Sequence, residues 1–136
     1  MKLCIVVSNF YPKVSNQLIR GALLEFSKKK IFKIKIIKVP GTYEIPFTIS
    51  KLNNKYDGFV ALGCIIKGQT PHFNYLCQAV FDALINLSIN KKIPIGNGIL
   101  TCNNKNQALK RADPKKINKG GHAALAAITL ININKK

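Results

Sequence analysis

Asp57-Gly58-Phe59-Val60-Ala61-Leu62-Gly63, then the loop Lys67-Gly68-Gln69-Thr70-Pro71, then His72 to Asn90 and Pro94 to Thr101 form the stretch that decides the fold. The first segment is a short apolar run between turn-forming residues, as expected of a strand buried on both faces. From His72 to Asn90, Leu76, Val80, Ala83, Leu84 and Leu87 recur at helical spacing and mark one core-facing side. Pro94 to Thr101 is again strand-like. A strand, a helix and a second strand in this order make a crossover unit, and a crossover joins parallel strands.

Working outward, Leu3 to Ser8 is an apolar, β-branched run that fits another buried strand. After a turn around Pro12, Ser15 to Lys29 reads as a helix, with Ile19, Ala22, Leu23 and Phe26 on one face. Ile31 to Val39 is β-rich and ends at Pro40-Gly41. Ile45 to Leu52, Lys105 to Ala112 and Gly120 to Ile133 read as helices, the last with Ala124, Ile128 and Ile131 on one side. Alternation of this kind predicts an α/β fold: a three-layer α-β-α sandwich around a four-stranded, parallel, flavodoxin-like sheet. The 136 residues fit a single domain spanning 1–136. Ligands of such sheets bind beyond the carboxyl ends of the strands. Phe10, Glu44, Thr70 with His72, and the segment after Thr101 all fall there.

Composition narrows the class. Hydrophobic residues make up 47% of the chain, enough to exclude disorder. No apolar run approaches the ~20 residues of a membrane span, and no signal-peptide cleavage site follows the first strand, so the expected location is the cytoplasm. Cys4, Cys64, Cys77 and Cys102 show no Cys-x-x-Cys spacing, and His72 and His122 bracket no cysteine pair. Reduced, buried thiols are expected rather than a zinc site or disulfides. The formal charge of +17 could attract a polyanion. Of the 22 basic residues, however, only Arg20 and Arg111 are arginine. Scattered lysine, with abundant asparagine and isoleucine, is the mark of A/T-rich codons. A nucleic-acid binder would carry arginine and exposed aromatics among its basic residues, so no nucleic-acid partner is expected.

Four segments carry the distinctive chemistry. They are Pro40-Gly41-Thr42-Tyr43-Glu44-Ile45-Pro46, Gly63-Cys64-Ile65-Ile66-Lys67-Gly68-Gln69-Thr70-Pro71-His72-Phe73, Gly98-Ile99-Leu100-Thr101 with Gln107-Ala108-Leu109-Lys110-Arg111-Ala112, and Asn118-Lys119-Gly120. In order and spacing these resemble the signature segments of the lumazine synthase family, and the likeness runs from Ile5-Val6-Val7 with Phe10 to the last helix. The family condenses 5-amino-6-(D-ribitylamino)uracil with 3,4-dihydroxy-2-butanone 4-phosphate to give 6,7-dimethyl-8-ribityllumazine, phosphate and water. The resemblance implies two small-molecule substrates and no metal or organic cofactor.

His72 is the candidate for proton transfer, because an imidazole titrates near neutrality and this one lies at a helix start beside a polar loop. A capping or surface histidine is the bland reading, and the match to the family's catalytic position outweighs it. The loop before it offers backbone N–H groups and a hydroxyl to a phosphate. By resemblance, Gln69 and Thr70 meet the butanone phosphate together with Arg111, whose planar fork suits an anion. Lys67 replaces an arginine common in the family, which keeps charge and loses the fork. The resemblance further implies that Phe10 stacks on the pyrimidine and that Thr42, Tyr43 and Glu44 bond the ribityl hydroxyls and the ring. It also implies that Cys64, Ile65 and Ile66 meet the ring through their backbone and that Lys119 approaches a ring carbonyl. Asn97 stands where the family usually has phenylalanine beside the substrate, and Tyr11 where asparagine is common; both bear on affinity rather than reaction class.

The family's sites lie between subunits of a homopentamer, and some of its rings pack further into icosahedral shells. Because the chain begins almost on its first strand, at Leu3, and carries +17 per subunit, the isolated ring is the expectation. Two other readings remain at this level. A flavin-binding, flavodoxin-like module would carry a run of hydroxyl residues after the first strand, where Ser8-Asn9-Phe10-Tyr11 stands. A basic nucleic-acid-binding protein would show steeply salt-dependent binding and no turnover.

Overall fold

A computed structural model of the chain describes residues 1–135. Its elements are β1 (Leu3–Ser8), α1 (Pro12–Lys28), β2 (Ile34–Val39), α2 (Ile45–Leu52), β3 (Gly58–Ile66), α3 (His72–Asn90), β4 (Ile95–Cys102), α4 (Lys105–Ala112) and α5 (Lys119–Asn134). Single 3-10 turns cover Thr42–Glu44 and Asn53–Lys55. The four strands form one parallel sheet in the order β2-β1-β3-β4. The α/β class and the three layers are as the alternation of elements demanded.

Strand periodicity sorts the core. Leu3, Ile5 and Val7 of β1, with Val60 and Leu62 of β3, face α1, α4 and α5. Cys4, Val6, Phe59 and Ala61 face α2 and α3. A central strand covered on both faces is buried along its length, and β1 is apolar from Leu3 to Val7 and ends on the buried Ser8. Among the described residues no helix is long and apolar enough to cross a membrane.

Several boundaries move for local reasons. Helix α1 starts at Pro12 rather than Ser15, because proline suits the first helical turn, where its missing N–H costs nothing. The core face of α1 is the i, i+4 row Val14, Leu18, Ala22 and Phe26, and Leu23 is at the surface. Strand β2 starts at Ile34 rather than Ile31. The Ile31 N–H instead reaches back to the Phe26 carbonyl and the Lys30 N–H to that of Ser27, with Lys30 at φ 58°. That is a helix C-terminal cap with a left-handed residue, and Ile31 supplies its apolar contact. Strand β3 runs on to Ile66 because β4 pairs with it as far as Cys102.

Helix α5 is entered through Asn118, held left-handed at φ 57° and ψ 51°, with its side-chain oxygen accepting the Gly121 N–H at 3.2 Å. Asn118→Ala removes that cap and places a Cβ-bearing residue without local hydrogen bonding in the left-handed region. The expected loss is about 2 kcal/mol in denaturant unfolding, with Asn118→Gly losing less.

Candidate active site

The carboxyl end of the sheet gathers most of the candidate residues. Phe10 lies two residues past β1, is 69% exposed, and meets Tyr11 edge-on with ring centroids 4.9 Å apart. An aromatic ring so exposed beside a strand end is free to stack on a planar ligand. The turn after β2 places Thr42 inward and Tyr43 outward: Thr42 is buried and Tyr43 is exposed. The Glu44 carboxylate folds back and accepts the Gly41 N–H at 2.9 Å, which fixes the carboxylate at the strand end. Beneath it, a Cβ on Gly63 would overlap the Ser8 hydroxyl and stand 2.8 Å from the Thr42 methyl. Ser8 and Gly63 thus form the floor under Thr42. Gly63 heads a signature segment and Ser8 ends the first strand, but neither position announced this role, although a glycine ending a buried apolar run marks close approach.

Strand β3 delivers Cys64, Ile65 and Ile66 to the same end, the first two buried and Ile66 partly so. Burial, reinforced by the neighbouring Cys102, pushes the Cys64 thiol up to about 12, so it stays protonated at neutral pH and is no nucleophile. The ladder continues one step further, the Lys67 N–H donating to the Cys102 carbonyl at 2.9 Å. The chain then leaves the sheet through the exposed Gln69 and Thr70. His72 opens α3, exposed, and its backbone N–H points at the Thr70 hydroxyl oxygen, 3.4 Å away.

Arg111 and Lys119 flank the same end from the layer of α1, α4 and α5. Arg111 sits in the last turn of α4 and is partly buried. Its positive charge acts on the Cys102 thiol, moderating the rise that burial imposes there. Arg111 therefore stands beside the terminus of β4. Lys119 is exposed at the first position of α5.

Asn97 is set apart from the rest. It pairs with Ala61 in mid-sheet, and its side-chain oxygen accepts the Ile99 N–H at 3.0 Å. Cys102 is five steps further along the strand, a distance of roughly 16 Å. It opens on the outer edge of β4, into a cavity shared with Phe81, Ile85 and Ser88 of α3 and Leu130 of α5. Among the described residues no group of three or more His, Cys, Asp or Glu is gathered as metal ligands.

A doubly wound parallel sheet whose strand ends collect an exposed aromatic, a fixed carboxylate, a histidine and two cations defines an α/β enzyme that acts on a planar, anionic or phosphorylated ligand. The family model for 6,7-dimethyl-8-ribityllumazine synthase matches residues 1–135. Proteins of that name from Bartonella tribocorum and Zymomonas mobilis are 44% and 42% identical, over 97% and 99% of this chain and 89% and 97% of theirs. One from Limosilactobacillus reuteri is 38% identical over 97% of this chain and 88% of its own. The chain belongs to the 6,7-dimethyl-8-ribityllumazine synthase family.

Proposed function

We infer that the chain condenses 5-amino-6-(D-ribitylamino)uracil with 3,4-dihydroxy-2-butanone 4-phosphate, the penultimate step of riboflavin biosynthesis. The observation that carries this reading is the gathering of all four signature segments at the carboxyl edge of one parallel sheet, in a chain of this family. The uracil's amine attacks the ketone and water leaves, giving an imine. Loss of the C3 proton then expels phosphate from C4, the enol so formed tautomerises to a ketone at C3, and attack of the ribityl-bearing nitrogen on that ketone closes the ring with loss of a second water. The substrates supply the electrophile, the nucleophile and the leaving group. The protein's share is to hold them together, bind the dianion and move protons.

Phe10 stacks on the pyrimidine. Thr42, Tyr43 and Glu44, with the backbone of Cys64, Ile65 and Ile66, read the ring and the ribityl chain, and Lys119 meets a ring carbonyl. Gln69, Thr70 and Arg111 hold the phosphate. His72 relays protons at the amine and the departing phosphate. Appearance of the lumazine chromophore from the two purified substrates tests the reading; a yellow, redox-active protein without turnover would favour the flavin-binding alternative.

His72→Ala is expected to lower kcat by about 100-fold or less while leaving the melting temperature unchanged, since acid–base catalysis contributes that order and proximity remains. Wild-type turnover in this variant removes His72 from the mechanism.

The working unit is a cytoplasmic homopentamer whose sites are shared between subunits. Three features support it. Asn97 lies too far down β4 to join the strand-end group of its own chain. The outer edge of β4 is open. Helix α3 leaves Tyr75, Ile85 and Ile89, and α2 leaves Phe47, more than half exposed, large side chains that a neighbouring subunit would cover. A cyclic arrangement closes head-to-tail contacts of this kind.

A further inference from the structure

We propose that Asp113 is a positioning residue that sets the spacing between Arg111 and Lys119, and so couples the phosphate and pyrimidine subsites; this rests on the roles assigned to those two side chains above. Asp113 closes α4, its N–H donating to the Leu109 carbonyl at 3.0 Å. Because Pro114 follows, Asp113 cannot continue the helix, and it takes an extended conformation at φ −63° and ψ 120°. From there its carboxylate oxygen Oδ1 accepts the Lys115 N–H at 2.9 Å, an Asx turn. Its main-chain carbonyl accepts two more N–H groups, those of Lys116 at 3.0 Å and Asn118 at 3.1 Å. One residue therefore gathers three donors of the five-residue link that follows it.

The link is anchored on both sides. Upstream, α4 is locked by a reciprocal cap: the Asn104 side chain accepts the Gln107 N–H at 2.9 Å, and the Gln107 side chain accepts the Asn103 N–H at 2.8 Å. Arg111 projects from the helix so fixed, two residues before Asp113. Downstream, Asn118 caps α5 and sits so close to Gly21 of α1 that a Cβ there would overlap its side-chain oxygen. Lys119 follows Asn118 directly. The segment between these two fixed helices is the only covalent path from Arg111 to Lys119, and the Asx turn holds its first bend. Asp113 is not recruited for charge: the single ion pair among the described residues is Lys28 with Glu25. Its role needs an acceptor oxygen, which an amide supplies as well.

The test measures both Michaelis constants, kcat and the melting temperature for Asp113→Ala and Asp113→Asn, with Arg111→Ala and Lys119→Ala run alongside. Asp113→Ala is expected to raise both KM values about 10-fold with a smaller change in kcat, because displaced binding groups weaken ground-state and transition-state binding together. Asp113→Asn, which keeps the acceptor, is expected to restore both. Arg111→Ala and Lys119→Ala should each raise one KM. If those two behave so while Asp113→Ala leaves both KM values unchanged, moves only one, or is not rescued by asparagine, the coupling role is overturned and the subsites stand. If Arg111→Ala or Lys119→Ala leaves its own KM unchanged, the subsite assignment falls, and the proposal with it.

Discussion

Arg111→Ala is expected to raise the KM for the butanone phosphate about 100-fold and that for the uracil less than about 3-fold. A charge-assisted, two-pronged contact to an anion is worth about 3 kcal/mol, and 1.4 kcal/mol is tenfold in affinity. Arg111 is one of only two arginines in a chain that uses lysine almost everywhere else, and it alone of the two stands at the carboxyl end of the sheet, partly buried beside Cys102. Partial burial keeps its charge from being screened as a surface lysine's is. Lysine at the same position should recover only part of the loss, because it lacks the fork. Steady-state kinetics with each substrate varied in turn decides; an equal rise in both constants rejects the phosphate assignment.

Gly96→Ala is expected to cost about 3 kcal/mol or more and to lower the melting temperature by roughly 10 °C. A Cβ there would overlap the Ala123 carbonyl oxygen and stand 2.9 Å from its carbon, with the Ala127 methyl at 3.1 Å. The obstacle is the backbone of α5, which cannot step aside as a flexible side chain can. Gly96 has no positive φ, so the demand is for space alone. Helix α5 lies against β4 at this point, and moving it also moves the entry that presents Lys119. Gly68→Ala is the matched control, because nothing lies within 4 Å of a Cβ there. Thermal unfolding of the two variants separates a packing requirement from a general intolerance of lost glycine; equal melting temperatures refute the packing account.

The elements that were plain in the sequence are those where one physical demand dominates. Leu3–Val7 is apolar at every position because it lies in the middle of a doubly covered sheet, and the strand continues one residue further, to the buried Ser8. His72–Asn90 begins at a proline-ended loop and is long enough for its period to show. That the strands run parallel followed from the alternation; their order in the sheet, β2-β1-β3-β4, did not. What escaped was set by competition between neighbours. Ile31 is as β-prone as Ile34, yet it serves the end of α1 rather than the start of β2. Leu23 fits the apolar stripe on spacing, but it lies one step off the row Val14, Leu18, Ala22 and Phe26 that meets the core. In the site, motif residues could be named one by one, and the strand ends could be foreseen as their meeting place. The floor made by Ser8 and Gly63, and the turn at Asp113, could not, since both depend on contacts between segments far apart in the chain or on which oxygen a bend happens to need.

The all-parallel sheet also governs how the chain reaches this state. No two paired strands are joined by a hairpin, so every ladder closes a loop that contains a helix. The central strand β1 is synthesised first and has no partner until β2 has been made. Its second partner, β3, comes only after Gly58. Until β2 pairs with it, Leu3–Ser8, apolar at five of six positions, is a strand with two unsatisfied edges, and until β3 follows it keeps one. Distant pairings of this kind slow folding, because loop-closure entropy is lost before the contacts repay it, and they lengthen the time in which such an edge can find another chain. The early helix α1, which can form locally and cover one face of β1, is the element that shortens that interval.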